Sequence, residues 1–301
     1  MDGLLGIFVG TLLPVFALVG VGAWAAKPLE LQARTLSRAA YYLFIPAFVF
    51  QTLSSAKVDL AVVARVSGYT ILVHLLVAGL GFVVAKLLRR PPATVAAYVL
   101  IAVFGNVGNM GLPIVQFDMG KDALPIGVVY FLAILACSFV LGVAAANWHK
   151  GLSLAGLLSV LKTPALVALV PAIMVNVWQI PIPLPISRGA QLLADAMIPV
   201  MLVGLGIQLK QTGLPRFTTD VWLASAVRLV GGAALAFLLA PVLGVTGLER
   251  SVGIIQAAMP TAVLASIIAL ENDLEPNFVT ASVMLSTLLA LPVLMVVLAL
   301  V

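Results

Sequence analysis

Charged residues recur at short intervals along the chain, and between them lie apolar runs of the length a bilayer demands. A helix needs ~20 predominantly apolar residues to cross a hydrocarbon core of ~30 Å. On that measure the pattern predicts ten spans: Leu4–Ala26, Ala39–Leu53, Ser67–Ala85, Thr94–Phe117, Ala123–Trp148, Pro164–Val177, Pro185–Gln208, Thr219–Val245, Ser251–Leu270 and Pro276–Val301. Together they use nearly the whole chain. The fold class expected is an all-α polytopic membrane protein with no room for a soluble catalytic domain.

Two spans contain helix breakers at depth. No charge occurs between Pro91 and Gln116, yet the run holds Gly105-Asn106-Val107-Gly108-Asn109-Met110-Gly111-Leu112-Pro113. Span nine holds Gly253-Ile254-Ile255-Gln256-Ala257-Ala258-Met259-Pro260-Thr261. Proline removes an N–H and clashes with the carbonyl four residues back, while glycine is permissive about dihedrals. Lipid offers no partner for the freed groups, so such backbone is tolerated only where it is buried in protein or lines a cavity.

Prolines also mark an internal repeat. Pro14 matches Pro171, Pro46 matches Pro199, Pro113 matches Pro260 and Pro125 matches Pro276, at offsets of 157, 153, 147 and 151 residues. Two five-span halves follow, 1–148 and 149–301. Five being odd, the second half enters the membrane from the opposite side, the inverted arrangement of many secondary transporters. Each half then has a broken fourth helix. Crossed near a pseudo-two-fold axis, the two bring four half-helix ends together, where N-termini favour anions and free carbonyls favour cations.

Composition agrees with the membrane reading: 63% of residues are hydrophobic and 9% charged, against roughly 45–50% and ~25% in soluble proteins. The net charge of +5 sits in loops and speaks of orientation rather than of nucleic acid. With the N-terminus outside, interior loops carry ten basic residues (Lys27, Arg34, Arg38, Lys86, Arg89, Arg90, Lys150, Lys162, Lys210, Arg216) and exterior loops five (Lys57, Arg65, Lys121, Arg188, Arg250). The bias predicts both termini outside a cell (inner) membrane. The first span lacks a basic stretch before it, Asp2 being the only early charge, and is too long for a signal-peptide core.

The chemistry available narrows the function. A lone Cys137 excludes an intramolecular disulfide or a cysteine-rich metal site, and no metal or other cofactor is expected. His74 and His149 lie far from any suggestive serine or cysteine, and there is no HExxH motif; an enzyme is not expected. A channel needs a continuous polar path, whereas polar groups here concentrate at one depth. Asn106, Asn109, Gln256 and Thr261 are the candidates to line a cavity, since their amides and hydroxyl donate to a carboxylate or accept from a protonated acid. Gly105, Gly108, Gly111, Pro113, Met259 and Pro260 shape the crossover. A plainer reading stands beside this one: glycines spaced by three also let a neighbouring helix approach.

Intramembrane charges cost about 2.5–3.5 kcal/mol each on insertion scales, so Asp195 in span seven and Arg228 in span eight need a role. They are expected to neutralise one another as a structural pair, or to pair separately with polar backbone. Otherwise Arg228 attracts an anion and Asp195 carries a coupling proton. His74, near the repeat-equivalent position to Arg228, either titrates or is a hydrogen-bonded packing residue.

The sequence resembles the auxin efflux carrier family, which holds the plant PIN-type carriers and bacterial organic-anion (malate/malonate-type) transporters. The resemblance covers essentially all ten spans. It is strongest in Ile254-Ile255-Gln256-Ala257-Ala258-Met259-Pro260 and Ala290-Leu291-Pro292, with Gly105 to Pro113, Asp195-Ala196, Gly204-Leu205-Gly206 and Arg228 in support. It implies a scaffold of spans one, two, six and seven, and a transport domain of spans three to five and eight to ten that moves like an elevator. It also implies a small organic anion bound at the crossing of spans four and nine, homodimers formed through the scaffold, and Asn106 as a substrate contact. The plant pattern's long central loop is absent, only Trp148 to Leu161 separating spans five and six. The alternative is a proton- or sodium-coupled antiporter of similar crossed-helix architecture, which wants a carboxylate near the crossing.

Overall fold

A computed structural model describes residues 3–56, 59–146, 161–212 and 215–301. Asp2, Lys57, Trp148, His149 and Lys150, and with them the expected boundary between halves, lie outside the described residues. Among the described residues the chain is helical, with one isolated antiparallel bridge and no extended strand.

The helices in order are α1 (Leu4–Ala25), α2 (33–54) and α3 (Leu60–Leu87), α4 (Pro92–Val103) and α5 (107–119), α6 (Leu124–Ala146), α7 (Pro164–Trp178) and α8 (Leu184–Thr212). After them come α9 (Thr219–Val242), α10 (Gly247–Ala257), α11 (Val263–Glu271) and α12 (Pro276–Leu300). Among the described residues six helices are long and apolar enough to cross a membrane: α1, α3, α6, α8, α9 and α12. The other expected spans are built differently. Span two begins earlier than its apolar run, at Ala33, and so includes Arg34 and Arg38. Span six is α7, whose 15 residues reach only about 22 Å. Spans four and nine are each two half-helices, α4 with α5 and α10 with α11.

Charge placement misled the boundary of α3. The helix runs past Arg65 and Lys86 at its two ends, starting where Asp59 caps it by accepting from the Ala61 N–H at 3.0 Å. Long basic side chains at helix ends keep their heads in water while the backbone continues.

Three of the prolines share a local device. Five-residue wide turns at Phe8–Leu12, Ala40–Phe44 and Val107–Gly111 each end two residues before a proline, at Pro14, Pro46 and Pro113. In each, the next N–H bonds five residues back, from Leu13 to Phe8, Ile45 to Ala40 and Leu112 to Val107. Widening the turn moves the carbonyl that the proline ring would strike. Pro171 and Pro199 sit inside α7 and α8 without such a turn, and a fourth wide turn, Val227–Gly231, has no proline and holds Arg228 instead.

Packing falls into two groups. α8 lies along α1 and α2, and α2 lies along α7. The α1–α8 backbones approach closely because a Cβ on Gly22 would overlap the Val203 backbone, and one on Gly206 the Val19 carbonyl. Asn176 of α7 fastens the end of α2, its Nδ2 donating to the carbonyls of Leu53 (2.9 Å), Ser54 (3.2 Å) and Ala56 (2.6 Å). In the second group α3 packs on α4, α6 and α9, and α12 packs on α9, α11 and α4. Two bidentate ion pairs tie its ends, Arg65 with Glu249 and Arg90 with Asp220. Large apolar side chains such as Val170, Leu192, Leu238 and Leu300 point outward, the arrangement suited to lipid as solvent.

Candidate crossover site

Where α4 and α10 stop, the two unwound segments meet. Gly105 and Thr261 form the antiparallel bridge. Around it the Asn106 N–H donates to the Pro260 carbonyl and the Ala262 N–H donates to the Phe104 carbonyl, both at 2.7 Å. The exchange is reciprocal.

A helix leaves its last carbonyls without internal donors, and burial makes each an expense if unmet. At the end of α4 every one has a donor. Ile101 accepts from the Thr261 hydroxyl (3.3 Å), Ala102 from Arg228 Nη1 (2.7 Å), Val103 from the Ser138 hydroxyl (2.6 Å) and Phe104 from the Ala262 N–H. At the end of α10, Ala257 accepts from Arg228 Nη2 (3.2 Å) and Met259 from Arg228 Nε (2.8 Å). Arg228 is 1% exposed, and its guanidinium therefore joins the C-terminal ends of both half-helices. Its charge complements the negative ends of both dipoles.

This corrects the expected pairing of Arg228 with Asp195. Arg228 spends its donors on backbone carbonyls and has no carboxylate partner among the described residues. Asp195 is exposed, not buried, and accepts from Gln191 Nε2 at 2.7 Å. His74 is buried, its Nδ1 sharing a hydrogen bond with the Thr70 carbonyl (2.9 Å) while Nε2 has no partner.

The amides behave differently from the carbonyls. Asn106 is 3% exposed with an unpartnered Nδ2, and Gln256 is 0% exposed with neither Nε2 nor Oε1 partnered. Gly111 makes room for the Gln256 amide, since a Cβ there would overlap Oε1. Asn109 is half-buried on α5. Thr261 belongs to the scaffolding of the crossing: its hydroxyl serves Ile101 and its N–H donates to the Ser286 hydroxyl (3.1 Å). Gly108 lies against Phe131 of α6 and within reach of Met201 of α8, so it marks where the two packing groups touch. Pro113 and Pro260 are buried.

Ser138 and Ser286 were not anticipated. Their signal is faint, a single small hydroxyl within an apolar helix, and such residues bond backbone near at hand as often as far away.

A cleft of about 470 Å³ lies between the two packing groups, and none of the crossing residues Gly105, Asn106, Arg228, Gln256 and Thr261 lines it. It is lined by Gln51, Gln116, Lys121, Gln191, Asp195 and Pro199 among others. Pro199 stands two residues before Met201, whose methyl approaches Gly108. A larger cleft, about 820 Å³, lies at the end of α2 around Asn176 and Gln51.

The family model described as membrane transport protein matches residues 7–145 and 152–298. An uncharacterized transporter of Methanothermobacter thermautotrophicus is 27% identical over 298 residues, 95% of this chain and 96% of the relative. A second, from Methanocaldococcus jannaschii, is 22% identical over 87% of each chain. Auxin efflux carrier component 1 of Arabidopsis thaliana is 28% identical over 120 residues, 38% of this chain and 19% of that protein.

Proposed function

This chain belongs to the membrane transport protein family, that of the auxin efflux carriers, and from that premise we propose a secondary transporter that moves a small organic anion across the membrane. It binds a carboxylate at the crossing of the interrupted helices and exposes it alternately to the two faces. The observation that carries this is the contrast at the crossing: its carbonyls have donors, whereas Asn106 Nδ2 and both amide atoms of Gln256 are buried without partners. Buried polar groups in native proteins are nearly always satisfied, and the exceptions ask for a ligand or a role. Amide donors at a crossing that also holds a guanidinium suit an anion.

An elevator-like displacement gains support from the packing. α1, α2, α7 and α8 act as the scaffold, and α3 to α6 with α9 to α12 as the moving body, two inverted five-helix repeats contributing to each. A cleft opens between the two groups. Pairing into homodimers through the scaffold and an orientation with both termini outside, motivated by the basic-residue bias, belong to the same proposal. The antiporter alternative asks for a carboxylate at the crossing, and the residue standing there is Arg228.

A thermal-shift screen of small carboxylates on purified protein, followed by counterflow in proteoliposomes, tests the reading. Saturable uptake accelerated by internal substrate is expected. Unsaturable flux indicates a channel instead, and conversion of the carboxylate an enzyme.

A further inference from the structure

Two half-helices ending at one point place several carbonyls around a common centre, and such clusters favour a cation. Here the centre holds a side chain. Arg228 Nε, Nη1 and Nη2 donate to Met259, Ala102 and Ala257, one carbonyl from α4, the last of α10 and one just beyond it. The neighbouring backbone is cut to fit: a Cβ on Gly105 would overlap Nη2. No carboxylate neutralises the guanidinium among the described residues.

We propose that Arg228 is a built-in cation, occupying the place where a crossover of this kind would otherwise bind a monovalent metal ion, so that the site forms and takes its anion without sodium. The inference rests on the transporter reading only for its consequence, sodium-independent transport; the cation site itself is a statement about the fold. A guanidinium is always charged and its planar fork reaches several acceptors at once. A metal ion in this place is gained and lost with each change of ionic conditions, whereas a tethered guanidinium stays in every state of the cycle. The crossing therefore keeps its positive charge whichever side it faces, and Asn106 Nδ2 and the Gln256 amide, which have no protein partner, are left to the anion.

The test is thermal unfolding of purified protein in chloride salts of sodium, potassium, choline and guanidinium at equal ionic strength, with guanidinium far below denaturing concentration. Wild type is expected to unfold at the same temperature in sodium, potassium and choline. Arg228→Ala is expected to fall by about 10 °C and to recover at least half of that in guanidinium but not in choline. Arg228→Lys, which keeps a charge but not the fork, should lie between. Specific stabilisation of the wild type by sodium overturns the proposal, and so does an Arg228→Ala protein that responds to no cation. If Arg228→Ala does not fold, the wild-type series and Arg228→Lys still decide it: a lysine variant less stable than wild type and, like it, indifferent to sodium supports the assignment, and one as stable as wild type opposes it. In proteoliposomes with malonate as the probe anion, replacing sodium by choline should leave uptake unchanged. Absence of malonate uptake with the cation pattern intact counts against the transporter reading and leaves the assignment of Arg228 standing.

Discussion

Gly105 lies so close against Arg228 that a methyl group on its α-carbon would overlap the guanidinium Nη2. The glycine's role is thus one of contact, set by a side chain 123 positions away in the sequence. Gly105→Ala is expected to displace the guanidinium from the carbonyls of Ala102 and Ala257 and to destabilise by about 1–3 kcal/mol, the usual cost of overpacking. Gly20→Ala on α1, where a Cβ meets open space, is the control and should stay within about 0.5 kcal/mol of wild type. Denaturation by heat of both variants checks this; equal behaviour would place Gly105 outside the contact.

Arg228 and Asp195 should be energetically independent. Arg228→Gln strips charge from three buried carbonyl contacts and is expected to cost about 3 kcal/mol or more. Asp195→Asn should change stability little, since the carboxylate is exposed and holds only Gln191. A double-mutant cycle for thermal stability should be additive within about 0.5 kcal/mol. Recovery in the double variant would restore the ion pair.

Asn106→Ala removes a donor that has no protein partner. Its backbone N–H still reaches Pro260. Stability should therefore hold while affinity for the transported anion falls at least tenfold, the worth of about one charge-assisted hydrogen bond. Gln256→Ala should behave alike. Binding measured by thermal shift beside unfolding in the absence of ligand separates the two effects, and unaltered affinity in both variants removes the site from the crossover.

For topology, single cysteines at Lys121 and Val301, in a background lacking Cys137, should react with an impermeant reagent added outside intact cells. One at Arg89 should not. The reversed pattern would invert the orientation that the basic residues suggest.

Much of this arrangement was legible in the sequence, for reasons that particular residues make clear. The breaks in spans four and nine were visible because glycine and proline act locally, and their consequences stay within a turn. For Arg228 the sequence leaves two partners open, the Asp195 carboxylate or polar backbone, and cannot choose between them. Sequence gives a residue's depth but not its azimuth, and the partners of this guanidinium are backbone carbonyls, which every residue carries and no pattern marks. Asp195 looked buried for the same reason: depth in a helix says nothing about which side faces a cleft. Thr261 was read as lining a cavity, whereas its hydroxyl is turned to Ile101, a choice fixed by where α4 happens to end.

The reciprocal backbone bonds at the crossing have a consequence for biogenesis. Asn106 waits for Pro260, Phe104 for Ala262 and Ala102 for Arg228, so the first half emerges from the ribosome with a row of bare carbonyls at membrane depth. Contacts of such separation close late, after the chain between them has been made and the entropy of the loop has been lost. The half-made protein is consequently the vulnerable species. A chain truncated before Arg228 should be held by chaperones or degraded, and co-expression of the missing half should rescue it, because what the first half lacks is the other set of backbone groups.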